Sequence, residues 1–333
     1  MSQHATLADF WFIFMTVVMW LYIITDGFDL GAGILSLFER EDTTKGLMSY
    51  AIEPVWHANQ TWLVILGGVI FGAFPHVYAA IFPGLYIPAV LLLAFLIARG
   101  VAIEYRPEAE NKPLFSLLFG VGSLGAAITQ GVLLAAVLQG MPIKDGVFTG
   151  GAFDWCTPFA FILAAALCAV YAMLGAVYMI MKTTDALREH FIRRAKICAM
   201  VSAVAVAAVI VWAGSGQGLE RFAKSWFVNG FSFSTWFMPV ALSFIMFFQA
   251  LRRKTYSMAY CWACGVVLFT MAAFGGALHP YIVPPDLTVA QAAAADESLR
   301  VMLYVIGPVF PIILIYSIYQ YVVFRGPAEP EGH

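Results

Sequence analysis

The chain has 333 residues, of which 62% are hydrophobic and only 11% are charged, and its formal net charge is −2. Soluble domains carry about a quarter charged residues, so this composition excludes an ordinary soluble enzyme and indicates an all-α polytopic membrane protein. The sequence has no basic block of the kind that binds nucleic acid.

Apolar runs long enough to cross a bilayer predict about nine transmembrane helices, joined mostly by short loops. They form one integral membrane domain over residues 1–333. The predicted spans are 9–37, 52–74, 77–104, 114–139, 157–181, 197–218, 235–250, 257–278 and 300–324.

The charges in the loops predict the orientation of the chain. Loops after the odd-numbered helices hold thirteen Lys and Arg residues, and those on the other side hold four. Because positive residues remain in the cytoplasm, we expect the N-terminus outside and the C-terminus in the cytoplasm.

Two aspartates, Asp26 and Asp29, lie three residues apart near the end of the first predicted helix, and so share one of its faces. A carboxylate at the centre of a membrane helix costs roughly 2.5–3.5 kcal/mol on insertion scales. Such residues persist where they are protonated, paired or used. The predicted orientation places this pair in the cytoplasmic portion of the helix.

Two further helices bring ionisable side chains to a similar depth. Glu53 and His57 fall in the first two turns of the second predicted helix and share a face, with Gln60 one turn further on. Arg99, near the end of the third helix, is the natural countercharge, because an arginine in an apolar helix must find acceptors.

Carboxylates, an imidazole and the amides of Asn59 and Gln60 are suited to passing protons along a chain of waters. The unperturbed pKa of histidine, ~6.5, allows it to bind and release a proton readily. Two other interpretations stay open. One is a structural network in which Asp29 neutralises Arg99 while Asp26 is hydrated near the interface, and the other is a static cation site in the same carboxylates.

The histidines indicate no haem site within the predicted bundle. Haem requires axial His or Met ligands that project into one cavity. His57 is expected on the cytoplasmic side, whereas His76 and His279 are expected near the outer surface. No pair is placed to hold a haem across the bundle, although a single His–Met pair stays open.

Seven short motifs, in this order, closely resemble subunit II of the cytochrome bd-type quinol oxidases, including the branch called cyanide-insensitive oxidases. The resemblance covers nearly the whole chain. The motifs are Thr25-Asp-Gly-Phe-Asp-Leu-Gly31, Pro54-Val-Trp-His-Ala-Asn-Gln60, Gly67-Gly68 with Phe74-Pro75, Arg99 leading into Glu104-Tyr105-Arg106, Leu138-Gln139-Gly140, Tyr178-Met-Ile-Met-Lys-Thr183 and Pro308-Val-Phe-Pro311.

The resemblance implies a subunit of an electrogenic terminal oxidase of the bacterial inner membrane, which oxidises quinol and reduces oxygen to water with cytoplasmic protons. It implies two four-helix bundles, helices 1–4 over about 9–139 and helices 5–8 over about 157–278, with a peripheral helix at about 300–324. Haem b and haem d are then held by subunit I, and this chain ligates no cofactor or metal. Small accessory subunits, lipids and a bound quinone are further expected partners, although the sequence identifies no quinone site.

The resemblance also implies a role for the acidic residues as the cytoplasmic mouth of a proton path, and Asp26 and Asp29 match it directly. One motif departs from the family pattern. The usual Trp-Asp-Gly-Asn is here Trp56-His57-Ala58-Asn59, so a histidine replaces the expected carboxylate. We expect His57 to carry protons and Glu53 to restore the negative charge; a displaced path or a shifted pH response is the alternative.

Two other classes of function use the same buried charges. A proton- or cation-coupled transporter would contain them without electron transfer, although such proteins typically show inverted repeats and broken helices at the membrane midplane. A purely structural scaffold for the haem-bearing subunit would use them for docking alone. The sequence does not distinguish proton conduction from scaffolding.

Overall fold

The computed structural model describes residues 3–144, 146–215 and 233–328, and this part of the chain is almost entirely helical. Two short hairpins, each of two antiparallel strands, complete it. The helices are α1 (Gln3–Ser36), α2 (Asp42–Ile52), α3 (Trp56–Ala73), α4 (Pro75–Tyr105), α5 (Lys112–Gln139), α6 (Pro158–Lys182), α7 (Asp185–Gly214), α8 (Phe233–Arg252), α9 (Tyr256–Leu278), α10 (Val289–Ala292) and α11 (Asp296–Val323). The strands are β1 (Ile143–Lys144), β2 (Val147–Phe148), β3 (Tyr281–Val283) and β4 (Leu287–Thr288).

The all-α membrane fold is confirmed. Seven helices of the described residues are long and apolar enough to span a membrane, namely α1, α4, α5, α6, α7, α9 and α11. The predicted spans at 52–74 and 235–250 correspond to α3 and α8. Polar residues in the first turns of α3 dilute its apolar character, and α8 contains a shorter apolar stretch, Phe237–Arg252. The count of nine crossings therefore stays a prediction, and the end of the span at 197–218 lies partly outside the described residues.

The segment before α3 differs from the expectation. The predicted loop at 38–51 contains the helix α2, and the second span begins at Trp56 rather than at residue 52. Pro54 has no N–H to donate to a helical acceptor, which favours a break, and a turn closed by Val55 N and Ile52 O separates α2 from α3. Glu53 lies in this break, outside the helix that carries His57.

Helix α1 lies unusually close to α6, and glycines make the approach possible. A Cβ atom added to Gly31 would lie 1.8 Å from the carbonyl oxygen of Tyr171, and one added to Gly175 would lie 2.4 Å from the backbone nitrogen of Ala32. Only glycine permits this distance between backbones. Because α6 also contacts α5, α7 and α9, the polar face of α1 is enclosed. The division into two bundles stays a prediction.

Helix α11 is the peripheral element. Its buried residues are Leu299 and Ser317, and most of its large apolar side chains are exposed. Its cytoplasmic end, on the predicted orientation, is nevertheless attached to the rest of the chain. Gln320 Nε2 donates to the carbonyl of Pro54 at 3.4 Å, and Lys182 Nζ donates to the carbonyls of Phe324 and Gly326.

Candidate functional site

A buried ion pair joins α1 to α4. Arg99 Nη1 lies 2.8 Å from Asp26 Oδ1, and both side chains have no exposed surface. Asp29, one turn along α1, is also fully buried. The structural-network interpretation paired Asp29 with Arg99 and left Asp26 hydrated near the interface. That arrangement is wrong. The close contact of α1 with α6 encloses Asp26 and leaves it facing α4.

Asp29 has a different partner on α3. Asn59, 1% exposed, donates from Nδ2 to Asp29 Oδ2 at 2.8 Å. The carbonyl oxygen of the same amide accepts a hydrogen bond from the hydroxyl of Tyr321 on α11. Four helices thus meet at this point. We call Asp26, Asp29, Asn59 and Arg99 the buried cluster.

The buried cluster does not use all its hydrogen-bonding capacity. Among the described residues, Asp26 Oδ2, Asp29 Oδ1 and the Nε and Nη2 of Arg99 have no hydrogen-bond partner. The Arg99–Asp26 contact itself is a close ion pair. Buried charges with free donors and acceptors are suited to exchanging protons or waters, and purely structural pairs are usually fully satisfied.

A second polar chain lies one turn further into the membrane. Tyr22 precedes Asp26 by one turn on the same face of α1. Its hydroxyl accepts from Gln130 Nε2 on α5 at 2.6 Å, and the Oε1 of Gln130 accepts from the Tyr171 hydroxyl on α6 at 2.7 Å. The polar interior therefore extends beyond the buried cluster toward the middle of the membrane.

Glu53 and His57 lie apart from the buried cluster. The His57 side chain is 72% exposed, and its Nε2 lies 3.0 Å from Glu104 Oε1. The same carboxylate oxygen accepts from Trp56 Nε1 at 3.2 Å. We call Glu53, His57 and Glu104 the rim. The expectation that Glu53 and His57 share one face of the second helix is wrong, because Glu53 lies in the break at Pro54, before α3 begins at Trp56.

Burial and the neighbouring charge of Glu104 raise the pKa of Glu53. The rim therefore contains a carboxyl that binds a proton more readily than an ordinary glutamate. Gln60 follows Asn59 on α3 and is half-buried. It belongs to neither the rim nor the buried cluster.

The histidines predicted near the outer surface are not part of the buried cluster, and His76 is separated from Arg99 by about 35 Å of helix α4. His76 is exposed at the start of α4, and His279 lies 3.2 Å from Asp9 Oδ1. In the part of the chain that the structure describes, no group of three or more His, Cys, Asp or Glu side chains could hold a metal ion.

Sequence reasoning missed Tyr22, Gln130, Tyr171 and Tyr321. Gln130 carried a usable signal, because an amide in an otherwise apolar helix needs a partner. Tyr321 carried none, since it stands in a segment with Tyr316 and Tyr319 that has the composition of an interfacial aromatic belt.

Comparisons with known proteins agree with this architecture. Residues 7–324 match the family model described as cytochrome bd terminal oxidase subunit II. The chain is 29% identical to the cytochrome bd-I ubiquinol oxidase subunit 2 of Escherichia coli K12, over 96% of this chain and 95% of that protein. It is 30% identical to a probable cytochrome oxidase subunit 2 of Haemophilus influenzae, with the same coverage.

The fold is also similar to a solved structure, the bd oxidase from Geobacillus thermodenitrificans. The TM-score is 0.77 at 16% identity, and the match covers 96% of this chain and 98% of that one. The family match spans nearly the full length and includes every helix that carries the buried cluster. This chain therefore belongs to the cytochrome bd terminal oxidase subunit II family and is a multi-pass membrane subunit of an oxidoreductase complex.

Proposed function

We propose that this chain supports the haem-bearing subunit I of a quinol:oxygen oxidoreductase and supplies the cytoplasmic path by which protons reach the site of oxygen reduction. The observation that carries the proposal is the buried cluster. Three charged side chains without exposed surface lie together and keep unused hydrogen-bonding positions. Intramembrane charges of this kind are functional by default.

The path begins at the rim and continues through the buried cluster. Glu53, His57 and Glu104 collect protons at the end of the membrane where the loops are basic. The family motif usually has an aspartate at the position of His57. In this chain, His57 and Glu104 together provide the proton-binding capacity of that carboxylate. Asn59 follows His57 by two residues on α3 and donates to Asp29 on α1, and Asp26 follows one turn further into the membrane.

Family membership and the loop charges support the remaining features of the proposal. In this proposal haem b and haem d belong to subunit I, and this chain ligates neither. The N-terminus faces the periplasm and the C-terminus the cytoplasm, as the distribution of loop cations predicts. A bound quinone and small accessory subunits complete the complex. Membership of an oxidase family sets the transporter alternative aside.

The test is the Asp29→Asn variant, which keeps the shape of the side chain but cannot exchange a proton. We expect quinol-dependent oxygen reduction by the purified complex to fall about ten-fold or more, the scale of a lost proton-transfer step. His76→Gln and His279→Gln serve as controls and are expected to leave the rate near that of the parent. Haem content per milligram of complex shows that assembly is intact.

Parental rates in a fully assembled Asp29→Asn complex would contradict the proton path. The charges would then belong to a scaffold that docks on the haem-bearing subunit.

A further inference from the structure

Tyr321 on the peripheral helix α11 contacts the buried cluster, although most of its helix is exposed. Its hydroxyl donates to Asn59 Oδ1, while Asn59 Nδ2 donates to Asp29 Oδ2 at 2.8 Å. One amide thus connects a tyrosine hydroxyl to a carboxylate. The carbonyl end of the amide accepts hydrogen bonds and the NH2 end donates them. The partner on one side therefore determines whether the other side donates or accepts.

We propose that Tyr321 is a positioning residue for the proton path: its hydroxyl fixes the orientation of the Asn59 amide and thereby sets how strongly Asp29 holds its proton. This inference rests on the proposed function. Tyr321 acts through Asn59, since the described residues show no hydrogen bond from its hydroxyl to Asp29.

The orientation of the amide depends on the charge of Asp29. An ionised carboxylate only accepts hydrogen bonds, so it requires the Nδ2 side of Asn59, which turns Oδ1 toward the Tyr321 hydroxyl. A protonated Asp29 can instead donate to Oδ1, but the amide must then rotate. In the rotated state Nδ2 faces Tyr321, and the hydroxyl proton loses its acceptor. Tyr321 therefore favours the ionised form of Asp29.

Two other tyrosines near Asp29 are committed elsewhere. The hydroxyl of Tyr178 donates to the carbonyl of Ala51 at 3.0 Å, and that of Tyr260 donates to the carbonyl of Ile24 at 2.5 Å. The ionisable and polar groups that act on Asp29 come from six helices, and in the comparison of Tyr321→Phe with the parent all except Tyr321 stay unchanged. They are Asp26, Asn59, Arg99, Tyr178, Tyr260 and Tyr321.

Removing the hydroxyl should leave the helix in place. The ring of Tyr321 packs edge-on to Phe28 at 6.2 Å between centroids, a contact that phenylalanine retains. The end of α11 is also attached by Gln320 to Pro54, and by Lys182, whose carbonyl accepts from Ala328 N at 2.9 Å. The Tyr321→Phe change therefore isolates the hydroxyl.

The experiment measures the rate of oxygen reduction against pH for the purified complex. The alkaline limb of this profile reports the pH above which the path no longer takes up protons. In Tyr321→Phe we expect this limb to move to higher pH by roughly half a unit to one unit, as the loss of one hydrogen bond implies. Tyr319→Phe is the matched control, since that side chain is 63% exposed on the same helix, and its profile should match the parent.

A second comparison tests the route through Asn59. In an Asn59→Ala background, the further Tyr321→Phe change should cause no additional shift, because coupled residues are not additive. A Tyr321→Phe profile identical to the parent would overturn the inference. So would an equal shift in both backgrounds, or a Tyr321→Phe complex that fails to assemble, since the hydroxyl would then serve the fold.

Asp29→Asn, measured in the same series, separates the two proposals. A slow Asp29→Asn complex beside an unchanged Tyr321→Phe complex defeats the positioning role alone. Parental rates in Asp29→Asn defeat the proton path, and the positioning role with it.

Discussion

Arg99 and Asp26 show how a membrane protein keeps two charges in an apolar interior. Each side chain lacks exposed surface, and the charged atoms approach to 2.8 Å. A buried pair contributes little net stability compared with apolar residues of the same volume, but removal of one partner leaves the other charge uncompensated. The pair is therefore a constraint on what can be substituted at either position.

We expect Arg99→Gln to destabilise the complex by about 3–5 kcal/mol, the cost of leaving the Asp26 carboxylate buried and unpaired. The double change Arg99→Gln with Asp26→Asn should lose less than the sum of the single changes. Arg253→Gln is the control. That side chain is exposed, so its replacement should change stability by no more than about 0.5 kcal/mol. The midpoint of thermal unfolding, followed through haem absorption, measures all three. A parental midpoint in Arg99→Gln would show that the pair does not matter to stability.

Glu53 predicts a pH-dependent contribution of the rim to stability. Burial and the charge of Glu104 raise its pKa, so the folded chain binds this proton more strongly than the unfolded chain. The stability from this proton is present at low pH and is lost as pH rises through the folded-state pKa. We therefore expect Glu53→Gln to melt at a higher temperature than the parent at about pH 8, with a smaller difference at about pH 5.

Glu104→Gln is the informative comparison for Glu53. It removes the same repulsion, but it also weakens the contacts of Glu104 with Trp56 and His57. It should not reproduce the gain at alkaline pH. A Glu53→Gln complex whose melting temperature differs from the parent by the same amount at both pH values would contradict the raised pKa.

At the scale of elements, the contact between α1 and α6 positions the buried cluster. Gly31 and Gly175 let the two backbones touch, which turns the face that carries Asp26 and Asp29 toward α3 and α4. The break at Pro54 separates Glu53 from α3. On α3 itself, the His57 side chain is 72% exposed, whereas Asn59, two residues further on, is buried.

The glycine contact predicts that Gly31→Ala destabilises the complex by at least about 1–3 kcal/mol, because the added methyl group meets backbone atoms that cannot move aside. Gly275→Ala on α9 is the matched control, since nothing lies within 4 Å of the added Cβ. It should be neutral or slightly stabilising. The midpoints of thermal unfolding of the two purified variants test this prediction. Equal midpoints would show that α1 and α6 can move apart without loss of stability.

At the scale of the whole molecule, the chain is one subunit of a larger complex. Purified by an affinity tag from native membranes, it should co-purify with a larger partner and show haem b and haem d bands in a reduced-minus-oxidised spectrum. The same chain expressed alone should be colourless. Haem bands in the chain expressed alone would contradict the proposal that all haem lies in the partner.

Composition and local motifs alone determined the membrane class, the positions of most helices and the family. They could do so because a bilayer demands about 20 apolar residues per crossing, whatever the helices later contact. That Asp26, Asp29, Asn59 and Arg99 need partners was also readable, since polar groups stand out in apolar helices. The helix α2 was missed because a short amphipathic helix resembles a loop in a scan for apolar runs.

Only the tertiary structure decided which of these groups meet. Pairing depends on how closely helices approach and on which way each face turns, and neither is visible along one chain. The structure assigned Arg99 to Asp26 rather than Asp29, placed His57 against Glu104, and brought Tyr321 to Asn59 across 262 positions of sequence. The sequence therefore determined which residues must find partners, and packing determined which partners they found.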